Sequence, residues 1–278
     1  MTRIHAFNTG HCTHPSCMVL KGAGLASRCF PSQAYLIETR AGLVLWDTGY
    51  AERFFDATSR GVYRLYPAVT PVVFEPRHAL VQQLAARGIS ASDIRTVVLS
   101  HFHADHLAGL RDFPRASIVA CAAGWETVKG KTGLAALAQA FLPSLIPGSF
   151  DTRYRPVQGC RRIALPTSLA PFEHGYDVLG TGEMLAVPLP GHAPGHIGAF
   201  VQGDEGWTLL AADAAWAAEA YTEMRGPSEL TFLFQHNRRD YYATLEKLAQ
   251  LHGAGAARIS LTHVAEPAIA SESKEPAQ

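Results

Sequence analysis

The sequence has no surplus of charge: 24 lysines and arginines balance 24 aspartates and glutamates. A neutral chain sets up no net field to gather nucleic acid or an anionic membrane, so a small molecule is the expected partner and those two are not. Also missing is any apolar run near the ~20 residues that span a bilayer. The opening MTRIHAFNTG has no apolar segment of the secretion-signal kind, and a cytoplasmic protein is expected. Cysteine is sparse: Cys12, Cys17, Cys29, Cys121 and Cys160 are odd in number and irregularly spaced, in a chain too long to need staples. Reduced thiols are expected. Internal repeats are absent, and the one biased tract is the closing SESKEPAQ, residues 271–278, expected as a flexible tail.

What the chain does have is a core, with 47% hydrophobic residues against 17% charged. QAYLIET, RAG and LVLWDTG read as a hairpin of half-buried strands. RHALVQQLAARG reads as an amphipathic helix stopped at Gly88, and IRTVVLSH as a short β-branched strand ending at a histidine. ASIVAC, MLAVPLPGH, IGAFVQ, WTLLAAD and ARISLTH read as further strands, with helices at AAGWETVKG and DYYATLEKLAQLHG. Residues 129–175 are less regular, with one helix, GLAALAQAFLP, among proline and glycine breaks. They read as an insertion in a single domain of residues 1–270: a lid, an arm toward a second subunit of a homodimer, or solvent-facing decoration. Strands and helices alternate at both ends of the chain, with hairpins inside each half. This predicts an α/β fold of two mixed sheets packed face to face with helices outside, a four-layer αββα sandwich.

Histidine is abundant, at 13, and clustered. SHFHADHLAG has the form H-x-H-x-D-H at His101, His103, Asp105 and His106. Histidines two apart in an extended turn can aim both imidazoles at one metal, and the Asp and His that follow can serve a second. A solvated His-rich turn is the bland alternative, and the buried-looking strand just before it argues against that. Two other strands end on ligand-type residues, at Ala212-Asp213 and Thr262-His263, where α/β folds build sites.

SHFHADHLAG, LPGHAPGHIG, LLAADAAW and ISLTHV resemble, in order, the metal motifs of the metallo-β-lactamase superfamily. YLIETRAGLVLWDTGY resembles its opening hairpin and Asp-Thr-Gly turn, so the resemblance runs from the first strand to about His263. It implies that His101, His103 and His192 bind one divalent ion, that Asp105, His106 and His263 bind another, and that Asp213 bridges them. Zinc is the first expectation for both ions, with iron, manganese or cobalt as alternatives. A bridging carboxylate is similar to lactonases and glyoxalase II-type thioesterases rather than to true β-lactamases, and N-acyl-homoserine lactonases are the nearest branch. The implied activity is a dinuclear metal hydrolase. A metal-bridging hydroxide would open a lactone (N-acyl-homoserine lactone, in quorum quenching, among them) or cleave a related carboxylic ester, with Asp105 as proton shuttle. A phosphotriester or phosphodiester hydrolase would use the same metals, and a non-catalytic ligand sensor would keep them.

Those lactonases carry a tyrosine where this chain has Trp216, and an indole N–H donates one hydrogen bond but is no acid in water. Trp216 is expected at the substrate, with Tyr221 as a candidate substitute for the missing phenol. Asp47 of the LWDTG turn is expected behind a ligand imidazole, because a buried aspartate needs a partner. His196 reads as a supporting histidine rather than a ligand, and His5, His78, His174, His236 and His252 as surface or satisfied core groups. Phe54, Phe55, Tyr63, Tyr66 and Phe74 read equally as an acyl pocket or as core. GHCTHPSC, Gly10 to Cys17, has the wrong spacing for a closed zinc site. Its likeness to a lactonase loop places it at the rim of the substrate groove, with His11, Cys12, His14 and Met18 near substrate.

Overall fold

The computed structural model describes residues 2–265, so the tail expected at 271–278 lies outside the described residues. Strands β1 (Arg3–Pro15), β2 (Ser27–Thr39), β3 (Gly42–Trp46), β4 (Val72–Val73), β5 (Ile94–Val98), β6 (Ser117–Ala120) and β7 (Tyr154–Pro156) form one sheet, in the order 4-1-2-3-5-6-7. Strands β8 (Arg161–Ala164), β9 (His174–Asp177), β10 (Met184–Pro188), β11 (Ile197–Gly203), β12 (Gly206–Ala212) and β13 (Ala257–Leu261) form a second, in the order 13-12-11-10-9-8. Both are mixed. The β2–β3 pair is the expected antiparallel hairpin, β3 and β5 run parallel, and the second sheet is antiparallel until β13 joins β12 in parallel.

Successive side chains on a strand point to opposite faces, and here both faces are apolar. Tyr35, Ile37, Val44 and Trp46 meet Met184, Ala186, Ala199 and Val201 between the sheets. One residue along, Leu36, Leu45, Val97 and Ile118 point the other way and pack under helical segments through Phe54, Leu80 and Leu84. On the far side Leu185, Val187, Phe200 and Leu209 share a core with Tyr241, Leu245, Leu248 and Leu251 of the helix Arg238–Gly253. Each buried leucine or phenylalanine contributes ~1.5–3 kcal/mol, so both sheets need helices on their outer faces. The result is the expected αββα sandwich. The Arg238–Gly253 helix opens where the Asn237 side chain accepts from the Asp240 amide at 3.1 Å, a cap of ~1 kcal/mol.

Two local expectations change. The helix expected over GLAALAQAFLP spans only Gly133–Leu137. Ala140 turns left-handed (φ 46°), its carbonyl takes the Ala104 amide at 3.1 Å, and Pro143 blocks a restart. The stretch from Gly10 is no loop: β1 continues to Pro15, paired against β2. A register shift between Asn8 and His11, with Gly10 at φ 111°, hides the strand periodicity. Residues 129–175 supply β7 and β8, an edge strand for each sheet, together with the start of β9.

Candidate metal centre

The chain ends of five strands converge. Asp47 follows β3, Ser100 and His101 follow β5, His192 follows β10, Asp213 follows β12 and His263 follows β13. Two of these exits are left-handed in residues with a Cβ, Asp47 at φ 58° and Ala212 at φ 47°. Strain of this kind costs of order 1–3 kcal/mol per residue and gathers at functional sites. The glycines of LPGHAPGHIG have steric reasons. A Cβ on Gly191 (φ 125°) would stand 2.3 Å from the Tyr241 backbone, and one on Gly195 (φ 66°) 2.3 Å from the Gly124 nitrogen.

His101, His103 and His192 form one group that could hold a metal ion, and Asp105, His106, Asp213 and His263 a second, each with its ligand-type atoms within 4.8 Å of one another. In the first, His192 Nε2 lies 3.1 Å from His101 Nε2 and 3.0 Å from His103 Nδ1. The outward nitrogens of His192 and His101 are occupied. His192 Nδ1 donates to Gln235 Oε1 at 3.0 Å, and His101 Nδ1 meets Ser100 Oγ at 3.0 Å. Ser100 in turn donates its hydroxyl and its amide to the two carboxylate oxygens of Asp47, both at 2.8 Å.

The second group is held the same way. Asp105 and His106 sit in the short helix Ala104–Leu107, the Ser32 hydroxyl donates to the Asp105 carbonyl at 2.9 Å, and the Thr48 amide donates to the His106 carbonyl at 2.7 Å. His106 Nδ1 donates to Asp47 Oδ2 at 2.7 Å and His263 Nδ1 to the Pro31 carbonyl at 2.8 Å. Each donation leaves Nε2 facing inward. Asp213 touches both groups, with Oδ2 2.9 Å from His263 Nε2 and 3.5 Å from His192 Nε2, and Oδ1 3.2 Å from His106 Nε2. His196 is turned away from the ligand role. Its Nδ1 donates to the Leu189 carbonyl at 2.7 Å and its Nε2 accepts the Asp213 amide at 3.2 Å, so both ring nitrogens are used in holding Asp213.

This donor set fits divalent metal. Among the described residues, His106 Nε2 and Asp213 Oδ1 are buried with no hydrogen-bond partner of suitable alignment, a state that costs ~1–3 kcal/mol per group unless something binds there. Burial and the neighbouring imidazoles push His101 well below the usual histidine range, and burial outweighs the nearby carboxylates to bring His103 down to about 4. The first group therefore presents neutral nitrogens. Burial opposes ionisation of Asp105 and Asp213, yet His106 and His263 hold both carboxylates below their ordinary value. Ligands of a tetrahedral zinc at ~2.0–2.1 Å lie about 3.3 Å apart, close to the nitrogen spacing of the first group.

A cavity of about 780 Å³ opens onto both groups, lined by His103, Asp105, His192, Asp213 and His263, with Cys12, His14, Met18, Tyr50, Tyr66 and Trp216 on its walls. Leu65, Val69, Leu134, Leu233 and Phe234 line it while more than half exposed, making an apolar mouth. Sequence-expected residues fall on both sides of this boundary. Met18 and Trp216 line the cavity, but the Trp216 indole donates to Asp213 Oδ2 at 2.9 Å. Its single donor thus serves the carboxylate. His11 is absent from the lining, and Tyr221 is buried in the outer core with its ring 5.5 Å from His252. Of the five aromatics between 54 and 74, Tyr66 lines the cavity, whereas Phe54 is fully buried core. Ser100 and Gln235 were not legible as site residues. Ser100 had only its place beside His101 to mark it, and Gln235 arrives from 43 residues beyond its partner His192.

The profile of the family described as the Metallo-beta-lactamase superfamily matches residues 27–263. A "Probable metallo-hydrolase" of Mycobacterium tuberculosis is 28% identical over 260 residues, covering 86% of this chain and 76% of that one. The N-acyl homoserine lactonase AttM of Azorhizobium caulinodans is 29% identical over 187 residues, covering 66% of this chain and 63% of its own. Among solved structures, an N-acyl homoserine lactone hydrolase with N-hexanoyl-L-homoserine at its catalytic metal center superposes with a TM-score of 0.71 at 18% identity, over 94% of this chain and 92% of that one. The match spans well over half of the sequence and both sheets, and the chain belongs to the metallo-beta-lactamase superfamily.

Proposed function

We propose that this chain is a metal-dependent hydrolase that opens lactones or cleaves related carboxylic esters bearing an apolar acyl group, with N-acyl homoserine lactone as the first substrate to try. The observation that carries the reading is a carboxylate, Asp213, set between two ligand groups at the floor of an apolar-mouthed cavity. His101, His103 and His192 would hold one divalent ion, Asp105, His106 and His263 a second, with Asp213 between, and zinc suits the nitrogen-rich set. When bound, such a pair supplies Lewis acidity and a water acidic enough to attack near neutral pH.

The chain's own groups do the rest. Asp105, ionised and lining the cavity, is placed to accept a proton from the attacking water and return it to the leaving oxygen. Trp216 and His196 hold Asp213 from its side-chain and backbone ends. The apolar mouth takes the acyl tail out of water, at ~25 cal/mol per Å² buried. The test is a panel on the zinc-loaded protein containing an N-acyl homoserine lactone, a simple aryl ester, a thioester, a phosphotriester and RNA. Turnover of the first two above the rest is expected, and a panel led by the thioester, phosphotriester or RNA would replace the reading.

A further inference from the structure

A carbonyl under attack gathers negative charge on its oxygen, and a donor waiting at that point is worth roughly 10²–10³ in kcat. Several donors on the cavity wall are already engaged. The Trp216 indole is hydrogen-bonded to Asp213, the Thr231 hydroxyl donates to the Met18 carbonyl at 2.9 Å, and Tyr50 is closed off at 1% exposure against 9% for Tyr66. His14 stands on the His263 side of the cavity, 6.2 Å from the Phe30 ring, which lies 6.3 Å from His263.

Tyr66 is placed differently. Its ring is held edge-on by the buried Phe54 at 5.3 Å, and it lines the same cavity as His103 and Asp105. A phenol carries one O–H to give. On the same short helix, Leu65–Val69, the flanking residues Leu65 and Val69 form part of the apolar mouth.

We infer that the Tyr66 hydroxyl donates the hydrogen bond that meets the substrate's carbonyl oxygen, an assignment that rests on the carbonyl-hydrolase reading above. The helix Leu65–Val69 then carries both the donor and the acyl wall, so recognition of the tail and polarisation of the carbonyl are one device. The test compares the zinc-loaded protein with its Tyr66→Phe and His14→Ala variants on N-hexanoyl homoserine lactone and an aryl ester. Calorimetry then measures binding of the ring-opened product, N-hexanoyl homoserine.

Tyr66→Phe keeps the ring against Phe54, and it is expected to lower kcat roughly 10²–10³-fold with KM within about threefold. Metal content should stay unchanged and product binding should weaken about tenfold, as for one lost hydrogen bond to a charged group. An active parent whose Tyr66→Phe variant keeps kcat within threefold overturns the assignment, as does a loss that falls on His14→Ala instead. A kcat loss accompanied by metal loss makes Tyr66 a support of the His103–Asp105 turn and also overturns it. A parent inert on every lactone and ester removes the functional reading and this inference together, a result distinct from an active parent with an indifferent variant.

Discussion

Asp47 Oδ2 stands 2.7 Å from His106 Nδ1, and neither side chain is exposed to solvent. The same carboxylate takes the Ser100 hydroxyl and amide, and Ser100 contacts His101. One buried aspartate thus orients a histidine in each of the two groups that could hold metal. Burial drives its carboxyl pKa upward against the pull of His106, so the arrangement stands only because every lone pair facing a donor is used. Replacing Asp47 by Asn keeps the shape and removes the charge. The expected result is a roughly 10–100-fold loss of metal affinity, read by competition against a chromogenic chelator. Unchanged affinity would reduce Asp47 to a packing residue.

Metal removal is the broadest test. Exhaustive chelation is expected to abolish hydrolysis, and zinc, cobalt or manganese to restore it. The double variant His101→Ala/His103→Ala should bind at most one ion per chain by atomic emission and lose at least about 10²-fold in rate, because one Lewis acid of the pair is gone. Carbonyl-hydrolase activity surviving in the metal-free double variant would sink the proposed function.

Gln235 fixes His192 from behind through its carbonyl oxygen, while its Nε2 is buried without a partner among the described residues. The neighbouring amides of His236 and Asn237 hold the His192 and Gly191 carbonyls at 3.0 and 2.9 Å, so the mouth segment carrying Leu233 and Phe234 also grips a ligand. Gln235→Leu should free the His192 ring and weaken metal binding about tenfold. Gln235→Glu, which still accepts from Nδ1, should recover most of that loss. Equal affinities for the two variants would contradict a role in orienting the ring.

The metal-free protein should be least tolerant of mild acid. Burial holds His103 and His196 to about 4, below the ordinary histidine range. Between pH ~6.5 and ~4 the unfolded chain therefore binds more protons, and stability falls as pH falls through that window. His106 and His263 are raised by their carboxylates, burial notwithstanding. They are protonated in both states below ~6.5, and their contribution fades instead as pH rises above it. The urea midpoint of chelated protein is thus expected to peak near pH ~6.5, and a flat profile from pH 4.5 to 6.5 would contradict the burial argument.

How much was legible depends on range. Strand alternation in QAYLIET and the unbroken apolar run of WTLLAAD marked elements whose side chains are buried on one or both faces, and these appear where expected as β2 and β12. The early end of the helix begun at Gly133 and the extension of β1 to Pro15 escaped because a left-handed alanine and a register shift leave no compositional trace. The His-rich turn announced itself since four ligand-type residues lie within six positions. Gln235 and the Pro31 carbonyl could not, because nothing local distinguishes an amide that meets a distant imidazole.

By itself the sequence determined the chemistry on offer: neutral overall charge, reduced thiols as the expectation, buried-strand patterns for two sheets, and a set of imidazoles and carboxylates at strand ends in order along the chain. Tertiary structure alone decided which nitrogen of each histidine faces inward. For His106, His192 and His263 that choice belongs to the partner on the ring's other side, Asp47, Gln235 or Pro31, each brought there by a different strand or turn. It also decided that the Trp216 indole is engaged by Asp213 while Tyr66 lines the cavity. A hydrogen bond is directional over about 3 Å, and no spacing along the chain encodes where a side chain's one donor will point once two sheets have closed around it.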